Sequence, residues 1–356
     1  MKMKMKLNFC TLFDSNFLTM GYTMYTSLQK YCKDFHLYIF AFDDLAFEVL
    51  QQLALPSVTV ISLQEFEDEE LLRVKPTRSK GEYCWTCTGS TIKYCIENFQ
   101  LDHCTYIEAD LLFYSDPGAI VQELYNTKKD VLITSHHYTA KHEKISKITG
   151  TYCVQFMVFR NTVDGMTVLN LWRNACIDWC YNRIEDGKFG DQKYLDEWTS
   201  KFPCVHVCTL LGAGVAPWNA IDFDIVGTDS TEPLFQLINR KKKIECTLIF
   251  FHFHKFRLLE NKVIWERGYR LPGKFIDHIY MPYTESCLAH YEILQKTNRK
   301  ISLPKSSAWG PARSFFSQKL YSLMKFFYCI WKEKRFVVEG NNYHIYHIKN
   351  GKIIKK

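Results

Sequence analysis

The stretch Thr105-Tyr106-Ile107-Glu108-Ala109-Asp110-Leu111-Leu112-Phe113 places two carboxylates inside an otherwise apolar run. Residues 104–113 therefore predict a buried β-strand with acidic side chains at its end. Because charged side chains are rarely buried without a partner, this pattern indicates a strand that ends at a cleft. Two carboxylates one residue apart can share one hard divalent cation. We therefore expect a metal site at Glu108 and Asp110, with a solvated strand end as the simpler alternative.

Strands and helices alternate on both sides of this stretch. Apolar runs predict strands over residues 7–13, 36–42, 58–62 and 131–134, and helical spacing predicts helices over residues 19–31, 45–53 and 90–98. The second half predicts strands over residues 152–160, 205–211 and 244–254 and a helix over residues 166–179. This alternation predicts an α/β fold with a mostly parallel central sheet. Ligands of such sheets bind at the carboxyl ends of the strands.

The composition divides the chain into a catalytic body and a basic tail. We expect one domain over residues 1–295, a linker over residues 296–313 and a tail over residues 314–356. The chain carries a net charge of +7, of which residues 301–356 supply +9 and the remainder −2. Residues 315–331 are amphipathic, which predicts either an interfacial helix on an anionic membrane surface or a helix packed on the domain. Residues 343–354 predict a short hairpin.

Several classes of protein are disfavoured by the same composition. No run approaches the length of about 18 apolar residues that a membrane span needs. The basic excess lies in the tail and not in the body, which argues against a nucleic-acid partner. The 14 cysteines are scattered, so neither a disulfide framework nor a zinc site is expected. We therefore expect a cytoplasmic protein, peripheral on the inner face of the cytoplasmic membrane if the tail binds it.

Four further segments place chemically capable side chains at the ends of predicted elements. Polar groups after the first strand suit a nucleotide, and cations before a helix or after the last strand suit phosphates. An Asp-Gln pair at a helix start can hydrogen-bond hydroxyl groups, and histidines can ligate a metal. The simpler alternatives are a turn, a solvated loop and an ordinary helix cap. The residues are Asp14 and Asn16; Arg78 and Lys80; Asp191 and Gln192; and His252, His254, Lys255 and Arg257.

The order of these motifs resembles that of bacterial nucleotide-diphospho-sugar transferases of the GT-A fold, in particular glycosyltransferases of surface-polysaccharide clusters. More distantly it resembles the retaining galactosyltransferase and glycogenin group. The resemblance covers about residues 7–260 and leaves the tail outside it. The matching segments are Tyr83-Cys84-Trp85-Thr86-Cys87-Thr88, Tyr106-Ile107-Glu108-Ala109-Asp110-Leu111, Gly150-Thr151-Tyr152 through Phe159-Arg160-Asn161, Arg183 through Asp196, Gly212-Ala213-Gly214-Val215-Ala216-Pro217-Trp218-Asn219 and Phe251-His252-Phe253-His254.

The resemblance implies a metal-binding acid triplet at Glu108 and Asp110. The family usually has Asp-x-Asp here, so Glu108 is a departure that keeps the charge and adds a methylene. His252 falls where the family places a metal-ligating histidine, and His254 is the alternative. The implied cofactor is Mn²⁺ or Mg²⁺, with a nucleotide-sugar as donor substrate.

Other positions follow from the same resemblance. Asp191 and Gln192 are expected beside the donor sugar. Cys153 replaces the asparagine that usually follows the Gly-x-Tyr motif. Trp218 and Asn219 are expected to help shape the same donor pocket. The residues expected around the nucleotide and its diphosphate are Asp14, Asn16, Arg78, Lys80, Lys255 and Arg257.

The implied activity is a hexosyltransferase-like glycosyltransferase. It would move a sugar from a nucleotide-diphospho-sugar, with a UDP-sugar expected, to a glycan or lipid-linked acceptor in cell-surface polysaccharide or lipopolysaccharide synthesis. The Asp-Gln pair favours retention of configuration; if the reaction inverts, Asp191 is the candidate general base. Two alternatives stay open: a sugar-nucleotide nucleotidyltransferase, and a catalytically silent carbohydrate-binding or membrane-associated protein.

Overall fold

A computed structural model of the chain describes residues 6–227, 235–260, 262–265, 269–305, 345–349 and 352–355. Its strands fall mainly in the first 265 residues. The strands are β1 (Leu7–Phe13), β2 (Phe35–Ala41), β3 (Val58–Ser62), β4 (His103–Ile107), β5 (Leu111–Phe113), β6 (Val131–Ser135), β7 (Tyr152–Arg160), β8 (Val205–Val207), β9 (Ala213–Val215), β10 (Phe223–Gly227), β11 (Gln236–Asn239), β12 (Ile244–Thr247), β13 (Phe250–His252), β14 (Arg257–Leu259), β15 (Lys262–Ile264), β16 (Ile345–Lys349) and β17 (Lys352–Lys355).

Helices connect the strands of the first half. The α-helices are α1 (Leu18–Tyr31), α2 (Asp44–Leu53), α3 (Leu63–Phe66), α4 (Glu69–Val74), α5 (Lys80–Asn98), α6 (Gly118–Thr127), α7 (Glu143–Thr149), α8 (Val163–Asp178), α9 (Trp198–Lys201), α10 (Gly273–Phe275) and α11 (Met281–Thr297). Short 3₁₀ segments cover Lys75–Thr77, Gln192–Glu197 and Ala220–Asp222, and a π segment covers Ile276–Tyr280.

Seven strands form the central sheet in the order β3-β2-β1-β4-β7-β6-β8. The pairs β3–β2, β2–β1, β1–β4 and β6–β8 are parallel, and β7 runs antiparallel to both of its neighbours. The predicted α/β fold with a mostly parallel central sheet is therefore confirmed. The carboxyl ends of β1, β2, β3 and β4 meet at one edge, where the residues that follow each strand come close together.

Each face of the sheet is covered by its own layer of helices. Alternate side chains of β1 point to opposite faces of the sheet. Phe9 packs with residues of α1, α2 and α6, whereas Cys10 packs with residues of α5 and α8. This alternation follows from the period of two along a strand. On the second face the ring of Phe159 stacks on that of Trp172 with centroids 6.2 Å apart. Strands buried on both faces read as continuous apolar runs, as these do.

The prediction of one strand over residues 104–113 is wrong. The chain forms β4, leaves strand geometry at residues 108–110 and resumes as β5. The two pieces pair with different partners, because β4 joins the central sheet and β5 pairs antiparallel with β13 in a smaller sheet of order β5-β13-β9. The acidic triplet therefore lies at the junction of two sheets and not at a simple strand end.

The strand predicted over residues 244–254 is also divided. Its first part is β12, in an antiparallel sheet with β10 and β11, and its second part is β13. The strand predicted over residues 205–211 shortens to β8, and the helix predicted over residues 90–98 begins earlier, at Lys80. Ser79 caps that helix through a reciprocal capping box with Glu82, which accounts for the early start.

The predicted tail is only partly described. The amphipathic helix predicted over residues 315–331 lies outside the described residues. The two final strands pair antiparallel, and β16 also pairs with β15, so the hairpin extends the sheet formed by β14 and β15. Within the described ranges no helix has both the length and the apolar character needed to cross a membrane. The division into domain, linker and tail stays a prediction.

Candidate active site

Pairing within the small sheet brings His252 to the acidic triplet. In the antiparallel register of β5 and β13, His252 lies opposite Leu111, the residue directly after Asp110. The backbone N–H of Phe253 donates to the carbonyl oxygen of Asp110 over 2.9 Å, which continues this pairing past the strand end. Asp110 and His252 therefore meet across the junction of the two sheets, although they are far apart in sequence.

Three side chains converge there in a geometry that suits one divalent cation. One ligand atom from each of Glu108, Asp110 and His252 lies within 4.8 Å of the other two. His252 Nε2 lies 3.1 Å from Asp110 Oδ1 and 3.4 Å from Glu108 Oε2. Two ligands held at about 2.1 Å from an octahedral ion lie about 3 Å apart, so these distances fit shared coordination. Glu108 has one methylene more than the aspartate expected at this position, and its carboxylate still lies close to Asp110 and His252.

The side chains of Asp110 and His252 contain two buried polar atoms that lie 3.1 Å apart. Both Asp110 Oδ1 and His252 Nε2 are buried, yet neither has a hydrogen-bond partner of good geometry among the described residues. Buried polar atoms are normally satisfied, so such orphans call for an explanation. A hard cation between a carboxylate oxygen and an imidazole nitrogen would satisfy both, and the residues present fit Mn²⁺ or Mg²⁺.

Without a cation, the two groups stabilise each other as an ion pair. Burial alone would lower the pKa of His252, but the adjacent Asp110 carboxylate raises it well above its ordinary value. Burial conversely opposes ionisation of Asp110, and contact with His252 holds the pKa of that carboxyl below its usual value. Cation binding therefore requires loss of the Nε2 proton of His252, so affinity should rise with pH.

The segment after His252 supplies positive charge to the same place. His254 is half-buried with its ring centroid 5.6 Å from that of His252, and burial lowers its pKa well below the ordinary value. The predicted alternative ligand therefore lies beside the group of three without joining it. Lys255 is exposed and adopts φ of 61°, which non-glycine residues rarely do. The Arg257 charge helps to lower the pKa of Asp110.

Asp191 is buried close to Glu108. Its carboxylate accepts from the Thr88 hydroxyl over 3.4 Å, and its backbone carbonyl accepts from Trp172 Nε1 over 2.9 Å. Burial raises the pKa of Asp191 well above its ordinary value, and the charge of Glu108 adds to that rise. Its side chain makes no helix-capping hydrogen bond, so the alternative of an ordinary cap is wrong. A neutral buried carboxyl can donate a hydrogen bond as well as accept one.

We expect Asp191→Asn to stabilise the cation-free protein at neutral and alkaline pH. A folded-state pKa raised above the unfolded value of about 3.9 contributes stability that is present below that value and lost as pH rises through the folded pKa. Asparagine keeps the shape without this penalty. Melting in EDTA should therefore show equal transition temperatures near pH 4 and a growing advantage of the variant as pH rises. A wild type at least as stable as the variant up to pH 9 would contradict the assignment.

The other residues predicted near the donor sugar make backbone contacts. Gln192 Nε2 donates to the Thr149 carbonyl over 2.6 Å and ties the end of α7 to the 3₁₀ segment. Trp218 Nε1 donates to the His136 carbonyl over 2.6 Å, and the Trp218 ring lies edge-on to His252 with centroids 5.3 Å apart. Asn219 is buried, and its hydrogen bonds within the described part of the chain are to backbone groups. Trp218 thus packs against the ring of His252, and Trp218 and Asn219 both hydrogen-bond the His136 carbonyl.

Residues predicted around the nucleotide divide into two groups. Burial raises the pKa of the Cys84 thiol to about 12, with the nearby charges of Asp14 and Glu108 adding to the rise and Lys80 opposing it. Asp14 and Lys80 therefore lie on the side of the site where α5 begins. Asn16 hydrogen-bonds the Asp14 carboxylate through its amide, over 2.9 Å.

Arg78 contacts the C-terminal end of α8 and the segment directly after it. Its guanidinium donates to the carbonyl of Ile177 over 3.0 Å and to the hydroxyl of Tyr181, and it stacks over the Tyr181 ring. Among the described residues, Arg78 has no hydrogen bond or ion pair with Glu108, Asp110 or His252. Its predicted phosphate contact stays a prediction.

Sequence reasoning missed one residue of the site. Gln155 is fully buried in β7, and its Oε1 lies 2.8 Å from His252 Nδ1. The signal was a single amide in the otherwise apolar run from Cys153 to Phe159. Cys153 also lies against His252, because that imidazole helps to lower the pKa of the thiol against the effect of burial.

Fold and site together define an α/β protein with a candidate carboxylate–imidazole site for a cation at the junction of two sheets. The chain is 32% identical over 267 residues to the uncharacterized protein YfnD of Bacillus subtilis, covering 73% of this chain and 82% of YfnD. It is also 28% identical over 295 residues to the uncharacterized protein YfnF of Bacillus subtilis, covering 80% of this chain and 94% of YfnF. The chain therefore belongs to the family of YfnD. No family model matches it.

Several solved structures of sugar-transferring enzymes and related proteins also align with the chain. Mouse xyloside xylosyltransferase 1 aligns with a TM-score of 0.44 at 13% identity, over 70% of this chain and 98% of that one. An active-site mutant of LgtC aligns with a TM-score of 0.45 at 10% identity, over 80% and 96%. GlyE of Streptococcus pneumoniae TIGR4 aligns with a TM-score of 0.40 at 11% identity, over 85% and 66%.

Proposed function

We propose that this protein is a metal-dependent glycosyltransferase that moves a sugar from a nucleotide-diphospho-sugar to a glycan or lipid-linked acceptor. The observation that carries the proposal is the meeting of Glu108, Asp110 and His252 at the junction of two sheets, with a buried and unsatisfied oxygen–nitrogen pair between them. A divalent cation bound there would supply charge that neutralises the diphosphate leaving group.

The chain's own residues supply the remaining electrostatics. Lys255 and Arg257 follow β13 directly, and the Arg257 charge is felt at Asp110. Preorganised positive charge aimed at a developing anion lowers the barrier of such a transfer. We therefore assign these two cations to the diphosphate, and Asp14 and Lys80, at the carboxyl edge of the central sheet, to the nucleotide.

Asp191 and Gln192 are proposed to bind the donor sugar. Burial raises the pKa of Asp191 and so favours the protonated carboxyl, which can donate a hydrogen bond to a hydroxyl of the donor sugar. The Asp-Gln pair itself favours retention of configuration, in which no dedicated general base is needed. A product of inverted configuration, formed with Asp191 as the general base, would contradict this assignment.

The finer parts of the proposal rest on the sequence. A UDP-sugar donor, a hexosyl group and a role in surface-polysaccharide or lipopolysaccharide synthesis follow from the family resemblance. Contact with an anionic membrane surface follows from the +9 charge of residues 301–356.

Donor hydrolysis tests the proposal directly. Purified full-length protein is incubated with a panel of UDP-, GDP- and CMP-sugars, with Mn²⁺, with Mg²⁺ and with EDTA, and nucleotide release is measured. We expect release of UDP from one donor, dependent on the cation. Cation-dependent release from another nucleotide class would keep the transferase and correct the donor.

The same panel separates the two alternatives. A nucleotidyltransferase would release pyrophosphate when given a nucleoside triphosphate and a sugar phosphate, and would not release a nucleoside diphosphate from a nucleotide-sugar. A silent carbohydrate-binding protein would neither turn over any donor nor bind nucleotide in a cation-dependent way. Either result would overturn the proposal.

A further inference from the structure

Gln155 connects the candidate cation site to a second layer of hydrogen bonds. Its side-chain oxygen lies 2.8 Å from His252 Nδ1, and its side-chain nitrogen lies 3.3 Å from Thr134 Oγ1. All three side chains are buried. The backbone carbonyl of Gln155 accepts from Glu108 N over 3.1 Å, so the same residue is fixed against the acidic triplet.

The Thr134 hydroxyl determines which way round the amide of Gln155 lies. Its proton is directed to the Cys153 carbonyl, which its Oγ1 atom approaches at 3.2 Å. Oγ1 is then an acceptor towards Gln155 and receives an N–H of the amide. The amide oxygen consequently faces His252, and an acceptor in that position requires a proton on Nδ1.

A proton held on Nδ1 leaves the Nε2 lone pair for a ligand. Nε2 is the atom that lies 3.1 Å from Asp110 Oδ1 and 3.4 Å from Glu108 Oε2. If the amide were reversed, its N–H would face Nδ1 and favour the other tautomer, with a proton where a cation must bind. Metal-ligating histidines are commonly fixed in this way by a hydrogen bond to their other nitrogen.

Gly214 provides the room for this arrangement. It adopts φ of 96° in β9, and a Cβ built on it would lie 2.7 Å from Gln155 Nε2. A side chain at Gly214 would therefore collide with the part of the amide that Thr134 holds. The backbone of β9 therefore packs directly against the amide of Gln155.

We propose that Gln155 is a positioning residue that selects the Nδ1–H tautomer of His252 and so presents Nε2 to a divalent cation held with Asp110 and Glu108. The inference rests on the proposed function, because it concerns the same site. It adds a residue that contacts neither the cation nor the substrate. It also assigns Thr134 the role of holding the amide in one orientation.

Calorimetric titration of full-length protein with Mn²⁺ tests this without an activity assay. Gln155→Met has a similar volume and no acceptor, and we expect its affinity for Mn²⁺ to be about 10–100-fold lower than that of wild type. Gln155→Glu keeps an acceptor opposite Nδ1 and should bind Mn²⁺ close to the wild-type level. A merely structural role would lower the melting temperature in EDTA for both variants without separating their affinities.

Thr134→Val provides a second variant of nearly unchanged shape. It should weaken Mn²⁺ binding in the wild-type background, because the amide is then free to reverse, and should have no further effect in the Gln155→Met background. Equal affinities of wild type, Gln155→Met and Thr134→Val would overturn the inference and leave the proposed function standing. A wild type that binds no Mn²⁺ would overturn both.

Discussion

Asp110→Ala is expected to lower nucleotide release from the donor by about 10³-fold or more. Loss of a metal ligand removes charge stabilisation that is worth several kcal/mol, and each 1.36 kcal/mol is about a factor of ten in rate. The variant should still fold, because His252, relieved of its partner, can lose its proton and remain as a neutral buried side chain. Mn²⁺ affinity should fall together with turnover, since both depend on the same oxygen.

Two further variants show whether the carboxylate itself is responsible. Asp110→Asn keeps the shape and removes the charge, so it should lose as much activity as the alanine variant. Asp34→Ala changes an exposed carboxylate directly before β2, at the opposite edge of the central sheet, and should retain wild-type turnover. Activity of Asp110→Ala with normal dependence on Mn²⁺ would remove Asp110 from the site.

Much of the first half of the fold follows from the pattern of apolar residues. The strand predicted over residues 152–160 matches β7 in both bounds, and those over residues 7–13 and 58–62 match β1 and β3. β1 and β7 are buried along most of their length, so their apolar character reports their length directly. Helix starts were less visible, because the N-terminal turn of α5 is polar and depends on the Ser79 capping box.

Changes of partner sheet could not be predicted. An apolar run reports burial but not the strand against which it is buried, so residues 104–113 and 244–254 each read as one strand. In the structure each divides between two sheets, and the break at residues 108–110 carries the two acidic residues of the site. The order of the predicted strand ends indicated Glu108, Asp110 and His252 as candidate site residues. The pairing of β5 with β13, which brings these residues together, could be seen only in the structure.

The second layer of the site was hidden for a related reason. The role of a buried glutamine depends on its hydrogen-bond partners. The partners of Gln155 lie in β6 and β13, which are distant from it in sequence. Arg78 is a related case: a cation before a helix suited a phosphate in sequence, and in the structure its guanidinium also contacts Ile177 and Tyr181, which the sequence did not indicate. The local sequence pattern predicts which polar and charged side chains lie near the end of an element. It does not predict which distant residues those side chains contact.

Gly212→Ala is expected to destabilise the protein by at least about 3 kcal/mol and to lower its melting temperature by about 4 °C or more. A Cβ built on Gly212 would lie 1.8 Å from the carbonyl oxygen of Thr247, which is backbone and cannot rotate away. The Gly212 carbonyl also accepts from Ile249 N over 2.9 Å, so the two chains cannot separate without breaking this bond. Thermal or urea unfolding monitored by circular dichroism measures the effect.

The consequence should extend to the candidate active site. Gly212 lies directly before β9, which pairs with β13, the strand that carries His252. Displacing β9 should therefore weaken Mn²⁺ binding even in the fraction that remains folded. Gly81→Ala is the matched control, because a Cβ on Gly81 meets no atom within 4 Å. As a helical position in α5, it should gain up to about 1 kcal/mol. If Gly212→Ala melts like wild type, the approach of β9 to Thr247 is not what holds His252 in place.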